Sequence, residues 1–492
     1  MPGDAVAIAD GIARDIVCGM GRTETEAQRA WAARPVRDRL AVLKQARRLL
    51  ARRTAELCAA ISPELARSSA DTRVAEVLPL LAAGEYLERE AEEILAARRV
   101  GRHGRPFWLA GVTSEIQRVP MGRVLVIAPA NYPLFLPGVQ VLQALAAGNS
   151  VVWKPGRGGL AVALVFAEAM REAGLPEGLL EATEESVAAA EAAMSRGVDK
   201  VFFTGSAEAG RLVMRRLAET STPLVAELSG CDAVFVLASA DLGRVVKALA
   251  FGMRLNGSAT CMAPRRVILV GADRSRRDSF LGWLRAALDS VAGVRIAAPV
   301  REELRWLMTD ATAAGASVHG ELEELQRPVV VTGVRPEMRI AQADIFAPVL
   351  SVMEARDVEE ALVMQDQCRF ALTASVFGDE GAARRLAARV TAGTVTINDL
   401  MVPTADPRVP FGGRKGSGFG ATRGAEGLLE MTAAKVVMVR RGGGTRQYEA
   451  TTESHEGLFD GVIEMSHGGT WRERWRGLRE MVKAARGFGD RQ

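Results

Sequence analysis

Between Glu26 and Ala60, Trp31, Leu40, Leu43, Ala46, Leu49, Leu50 and Leu57 recur at the spacing of one helix face, with arginine and lysine on the other. Val77, Leu78, Leu81, Tyr86, Leu87 and Ile94 repeat the theme over 75–97. The pattern predicts two helices of an opening helical layer, and packing alone explains them. The period then changes. Phe107 to Val119 reads as two short β-like runs around Gly111, a surface hairpin. Val124 to Ala128 and Val151 to Trp153 are short apolar runs ending at polar loops, and Gly138 to Ala147 between them reads as a helix. Val201 to Phe203 ends at Thr204-Gly205-Ser206, ahead of a helical stretch from Ala209 to Thr220. Strand, helix, strand, helix predicts a parallel sheet with right-handed crossovers. Ligands of such sheets bind beyond the carboxyl ends of the strands, where these polar loops fall.

A second α/β region is expected from about Cys231 to Asp399, with helices near 240–254 and 276–291 and strands near 266–270, 329–332 and 373–377. Pro410 to Gly418 is a glycine-rich loop, and a polar linker begins at Arg441-Gly442-Gly443-Gly444-Thr445. In the tail beyond it, Trp471, Trp475, Leu478, Val482 and Ala485 share one helical face. Arg472, Arg474, Arg476, Arg479, Lys483 and Arg486 make the rest basic. Such a tail packs on its own or a neighbouring subunit, rests on an anionic membrane surface, or docks on another protein; the sequence leaves all three open.

At 492 residues the chain is too long for one small core, so two or three domains are expected. No apolar run reaches the ~18 residues of a spanning helix, which points to a soluble globular protein. Met1 to Asp15 carries Asp4 and Asp10 and lacks a basic lead-in, which argues against a secretory signal and for the cytoplasm. Five cysteines without a C-x-x-C spacing point to a reducing compartment and away from zinc. The four histidines lie away from the motifs, so a Ser-His-Asp or metal mechanism is hard to assemble. A net charge of +4 gives no warrant for a nucleic-acid partner.

Three segments carry chemistry. Cys261 stands in Asn256-Gly257-Ser258-Ala259-Thr260-Cys261-Met262-Ala263-Pro264, Glu227 in Glu227-Leu228-Ser229-Gly230, and Asn131 in Pro129-Ala130-Asn131-Tyr132-Pro133. With a hydride acceptor, a thiol, a carboxylate and an amide can oxidise an aldehyde through a thioester. The thiol attacks, the amide holds the oxyanion, and the carboxylate activates water. In order and spacing these segments resemble the aldehyde dehydrogenase superfamily from about Gln28 to Val439.

The resemblance implies an α/β fold with a Rossmann-like parallel-sheet cofactor domain (1–104 and 121–229) and an α/β catalytic domain (230–399). Oligomerisation or bridging elements (105–120 and 400–439) and a basic amphipathic tail after a linker (440–492) complete it. The hairpin of the family pairs with a partner subunit, which implies a homo-oligomer, a dimer first. Cys261 becomes the nucleophile, Glu227 the general base and Asn131 the oxyanion donor, with an aldehyde as substrate and NAD or NADP as cofactor. Lys154 would hold the adenosine ribose. Gly205, Ser206 and Gly210 would open a helix onto the pyrophosphate. Asp344 would bind the nicotinamide ribose, and Phe346 would wall the nicotinamide. Arg157 stands where many NAD-using relatives carry glutamate, and an arginine suits a 2′-phosphate, tipping the expectation to NADP.

The chain departs from the family pattern at Ala130 (usually Trp), Ser229 (Gly), Ser258-Ala259 (Gly-Gln) and Asp344 (Glu). Cys231 replaces a usual lysine and reads as non-catalytic. The motif runs look most like the short branch that oxidises medium- and long-chain or aromatic aldehydes. Two alternatives stand: a relative that forms or reduces acyl-CoA, which typically lacks the glutamate, and a non-catalytic cofactor-binding scaffold.

Overall fold

Pro35 and Arg53 break the opening helical pattern. In the computed structural model, which describes residues 25–442, 448 and 450–489, it becomes three helices: Glu26–Ala32, Val36–Arg52 and Thr54–Ala60. Pro35 cannot continue the preceding helix but suits the start of the next, and Arg53 leaves helical geometry at φ −89°, ψ 17°. The expectations placed on Met1–Asp15, on Cys18 and on 443–445 of the linker lie outside the described residues.

The chain divides into two compact units, Met1–Arg98 with Ile116–Val436, and Arg99–Glu115 with Val437–Gln492. The first contains two sheets. One has six strands in the order Gly418–Phe419, Leu224–Glu227, Lys200–Thr204, Arg123–Ile127, Ser150–Lys154 and Leu180–Ala182. All are parallel except the Gly418–Phe419 edge, which pairs antiparallel with Glu227 and Ala226. The helix Phe135–Ala147 is buried along nearly its whole length against this sheet and the helices Val36–Arg52 and Leu78–Ile94. Burial on all sides explains why it reads as apolar all round apart from Gln140 and Gln143.

The other sheet has seven strands, ordered Ser317–His319, Val329–Thr332, Val349–Ala355, Pro264–Val270, Asp232–Val236, Thr373–Phe377 and Thr394–Ile397. Only the first pair is antiparallel.

The hairpin expected over 107–119 is half right in its elements. Phe107–Leu109 is a 3-10 turn begun at Pro106, and only Val112–Pro120 is extended. Pro106 fixes its own φ and offers no N–H to a ladder, which favours the turn. Val112–Pro120 lies between Arg98–Val100 and Thr432–Arg440 in a three-stranded sheet.

In the second unit, Glu456–His467 and Trp471–Gly489 form an antiparallel helical pair. Gly461 meets the Met481 backbone and Gly477 the Met465 backbone, so neither position has room for a Cβ. Trp471 is 73% exposed and Trp475 51%.

Candidate active site

In the six-stranded sheet the chain builds outward in both directions from Arg123–Ile127, whose neighbour on the return side is Lys200–Thr204. That switch of direction opens a crevice at the carboxyl ends. Pro129-Ala130-Asn131 leaves one strand there and Gly205-Ser206 leaves the other. Ser206 caps the helix Ala207–Ala218 by accepting the Ala209 N–H at 3.2 Å. Gly210 lies so close to Leu228 that a side chain would displace it. Lys154 ends its strand in a buried position, and Glu185 accepts the N–H groups of Gly158 and Leu160 at 2.8 Å each. Glu185 thereby anchors the turn bearing Arg157, which is exposed and makes no ion pair with another described residue.

A cavity of about 880 Å³ joins Arg157, Gly205, Glu227, Cys261, Asp344 and Phe346. Thr204 Oγ1 and Asp344 Oδ1, both buried at this site, have no hydrogen-bond partner. Unmatched polar atoms of Thr204 and Asp344, Gly205 ahead of a capped helix and the Arg157 guanidinium line one space, and donors and acceptors of this kind suit a dinucleotide; Lys154, Ser206 and Gly210 do not line it.

The nucleophile arrives from the opposite kind of edge. Cys261 precedes the strand Pro264–Val270, Gly230 precedes Asp232–Val236, and Asp344 and Phe346 precede Val349–Ala355. All lie at amino ends of the seven-stranded sheet. The three residues Asn256, Gly257 and Ser258 run left-handed, at φ 52°, 58° and 63°. For Asn and Ser this is a strained conformation that its surroundings must hold.

Buried arginines hold it. Arg265 donates from Nη1 to Ser258 Oγ at 2.8 Å and to the Ala347 carbonyl at 2.7 Å, and from Nη2 to the Ser258 carbonyl at 2.6 Å. Arg67 donates to Asn256 Oδ1 at 2.6 Å and to the Asn131 carbonyl, and forms a buried ion pair with Glu76 at 2.6 Å. Glu76 in turn accepts the N–H groups of Leu134 and Phe135. Asn131 Nδ2 donates to the Ala259 carbonyl at 2.9 Å, which ties the amide to the nucleophile loop. Cys261 Sγ then reaches Glu227 Oε1 at 3.8 Å. Gly230 passes directly beneath: a Cβ there would overlap the Cys261 carbonyl oxygen.

A model of the aldehyde dehydrogenase family matches residues 22–437. The chain belongs to the aldehyde dehydrogenase family. It is 32% identical over 425 residues to a 4,4′-diapolycopene aldehyde oxidase of a Methylomonas species, covering 83% of this chain and 79% of that one. It is 30% identical to the NADP-dependent succinate-semialdehyde dehydrogenase of Deinococcus radiodurans, over 84% of this chain and 88% of that one. Among solved structures, a Mycobacterium tuberculosis aldehyde dehydrogenase complexed with NAD+ superposes with a TM-score of 0.76 at 27% identity, covering 84% and 88% of the two chains. The chain is therefore an NAD(P)-dependent oxidoreductase acting on aldehydes.

The electrostatics of this aldehyde dehydrogenase site favour protons. Burial in the pocket floor pushes the Cys261 thiol up, and the carboxylates Glu227, Asp232 and Asp344 add to that. Burial also raises Glu227, opposed first by Arg423, then by the Cys261 thiol and the Thr422 hydroxyl. Asp344 is raised by burial and held back by the Ser229 hydroxyl, Arg265 and the Gly230 N–H. Burial lowers the Lys154 ammonium, with Glu185 opposing.

Cys231 is buried at 3.5 Å from the Ala341 carbonyl. Arg67, Glu76, Glu185, Asn256, Arg265 and Arg423 were not singled out from sequence. The one available signal was Arg265-Arg266 at the head of an otherwise apolar strand.

Proposed function

We propose that this chain oxidises an aldehyde to a carboxylate through a thioester on Cys261. The observation that carries the reading is the Cys261–Glu227 contact at 3.8 Å with the Asn131 amide fastened to the same loop. Glu227 takes the thiol proton, and the thiolate attacks the carbonyl carbon. The second Asn131 N–H and the Cys261 backbone N–H receive the oxyanion. The nicotinamide supplies the hydride acceptor. Glu227, its proton released to solvent, then deprotonates the water that cleaves the thioester. A carboxylate beside the sulfur favours water over coenzyme A as acyl acceptor.

Lys154, Gly205, Ser206, Gly210, Asp344 and Phe346 form the cofactor side, within a six-stranded unit that binds the dinucleotide and a seven-stranded unit that supplies the nucleophile. The free guanidinium of Arg157 supports NADP over NAD.

Leu65, Leu136, Phe251, Val294, Ile296 and Val300 give the cavity an apolar wall, which favours medium- or long-chain or aromatic aldehydes. Arg254 and Arg295 on the same cavity favour a second reading, an aldehyde carrying a carboxylate. Reduced-nicotinamide formation from hexanal, decanal, benzaldehyde and succinate semialdehyde, each with NAD and NADP, separates these. Cys261→Ala is the control; turnover surviving in it overturns the thioester reading.

The protein acts in the cytoplasm as a homodimer, paired through the edge strand Thr432–Arg440, which exposes Val436, Met438 and Val439. No helix among the described residues is long and apolar enough to cross a membrane. The tail is a docking element: Trp471, Trp475 and Val482 present an exposed apolar stripe flanked by arginine. Light scattering of the full chain tests the dimer. Sedimentation with anionic liposomes, compared between the full chain and Trp471→Ala/Trp475→Ala, tests a membrane as the tail's partner.

A further inference from the structure

Two consecutive residues of one loop bond to two consecutive residues of the other. Asn131 Nδ2 donates to the Ala259 carbonyl at 2.9 Å, and the Tyr132 and Thr260 hydroxyls meet at 2.9 Å, both pairs 128 positions apart. The first rung belongs to the oxyanion pocket. The second stands behind it: Tyr132 and Thr260 are buried, and neither lines the cavity. Among the described residues each hydroxyl finds its hydrogen bond only in the other, so removing either strands a buried polar group. The Tyr132 ring is fixed independently of that bond. The Arg67 guanidinium carbon lies 4.8 Å from its centre, while the same side chain donates to the Asn131 carbonyl.

Thr260 is where the second rung bears on the chemistry. The peptide that joins it to Cys261 is planar, and the N–H of that plane is the backbone donor to the oxyanion. The first rung pins the peptide before Thr260 by its Ala259 carbonyl. Threonine is stiff about χ1, so a fixed Oγ1 also fixes the direction in which the next peptide leaves. We propose that Tyr132 and Thr260 are positioning residues whose hydroxyl–hydroxyl bond aims the Cys261 N–H, together with the Asn131 amide, at the oxyanion formed on the aldehyde. The division of labour along the loop supports this. Arg67 holds Asn256 and Arg265 holds Ser258, and the Asn256 amide braces the Asn131 and Ala259 carbonyls at 3.2 and 2.9 Å. None of these reaches the Thr260 side chain, which Tyr132 alone secures. The loop arrives there through three left-handed residues, a conformation that relaxes wherever its surroundings let go.

The inference rests on the thioester route proposed for Cys261, and the test separates the two. Reduced-nicotinamide formation is followed in a single turnover, enzyme in excess over hexanal with NADP, for wild type, Tyr132→Phe, Thr260→Val and the double variant. NADP Kd and Tm are measured beside it. Tyr132→Phe keeps the ring against Arg67 and Thr260→Val keeps the shape, so each removes the bond and little else. Each should slow the turnover about tenfold, the size of one hydrogen bond, with NADP Kd unchanged. The double variant should be no slower than the singles, since all three lose the same bond. Thr260→Ser, which keeps a hydroxyl, should return the rate toward wild type. Variants that lose Tm but keep the wild-type rate overturn the proposal. So do effects that multiply in the double variant, a loss carried by NADP Kd, or a Thr260→Ser as slow as Thr260→Val. Where Thr260→Val does not fold, Thr260→Ala takes its place in the same cycle. Turnover that persists in Cys261→Ala instead overturns the catalytic reading beneath it.

Discussion

The two sheets that meet at the cavity solve the placement problem differently. The six-stranded sheet presents its carboxyl ends, where topology alone delivers turns and a helix N-terminus, so Gly205, Ser206 and Gly210 need little more than small size and a cap. The seven-stranded sheet presents its amino ends, which offer no such ready-made donors. Its nucleophile loop runs through three left-handed residues and depends on Arg67 and Arg265 to stay there. One side is held by backbone, the other by buried ions. Backbone sites tolerate substitution of exposed side chains; ion-clamped sites do not.

Breaking a clamp should therefore do the most damage. Arg67→Met leaves Glu76 buried and unpaired, and a loss of about 3–5 kcal/mol in unfolding free energy is expected from urea titration. A loss below 1 kcal/mol would place the strain of 256–258 elsewhere. Next, Asn131→Ala should lower kcat by about 10²–10³-fold with KM for cofactor little changed, since it removes one oxyanion donor. An equal effect on cofactor KM would blur the division between the sheets. On the backbone-held side, Arg157→Glu should move the NADP to NAD ratio of kcat/KM by about tenfold toward NAD; an unchanged ratio sinks the role of Arg157.

The smallest effect concerns Asp232, which burial pushes up to about 7 against the two hydrogen bonds from Thr373. The folded chain keeps this proton where the unfolded chain has lost it, so Asp232 makes the fold less stable as pH rises from about 4 to 7. Asp232→Asn should flatten that part of the stability profile, read by thermal melting across pH.

The same contrast governs how much was legible in the sequence. Strands 329–332 and 373–377 and the turn at Thr204-Gly205-Ser206 are readable because apolar runs ending in small polar residues state their own geometry. Pro35 announces a break that a helical pattern over 26–60 hides. Cys261, Glu227 and Asn131 stand out by residue type and order. Arg67, Glu76 and Arg265 do not, because a buried ion pair looks in sequence like two solvated charges, and Arg67 stands 189 positions from the Asn256 it holds. The resting protonation of Cys261 was equally hidden: it depends on burial and on carboxylates brought in from distant segments, Asp232 from a strand and Asp344 from the loop before Val349–Ala355.

Asn256-Gly257 gives this enzyme a chemical lifetime. An asparagine followed by glycine is the sequence most prone to cyclise and deamidate, since glycine leaves its backbone nitrogen unshielded. Here the Asn256 amide donates to the Asn131 and Ala259 carbonyls, at 3.2 and 2.9 Å, while Arg67 holds its oxygen. The clamp that shapes the oxyanion pocket thus also slows its ageing. Once the amide becomes a carboxylate, two carbonyls lose their donor and meet a negative charge instead. Old enzyme should lose activity through this loop while its cofactor crevice stays intact.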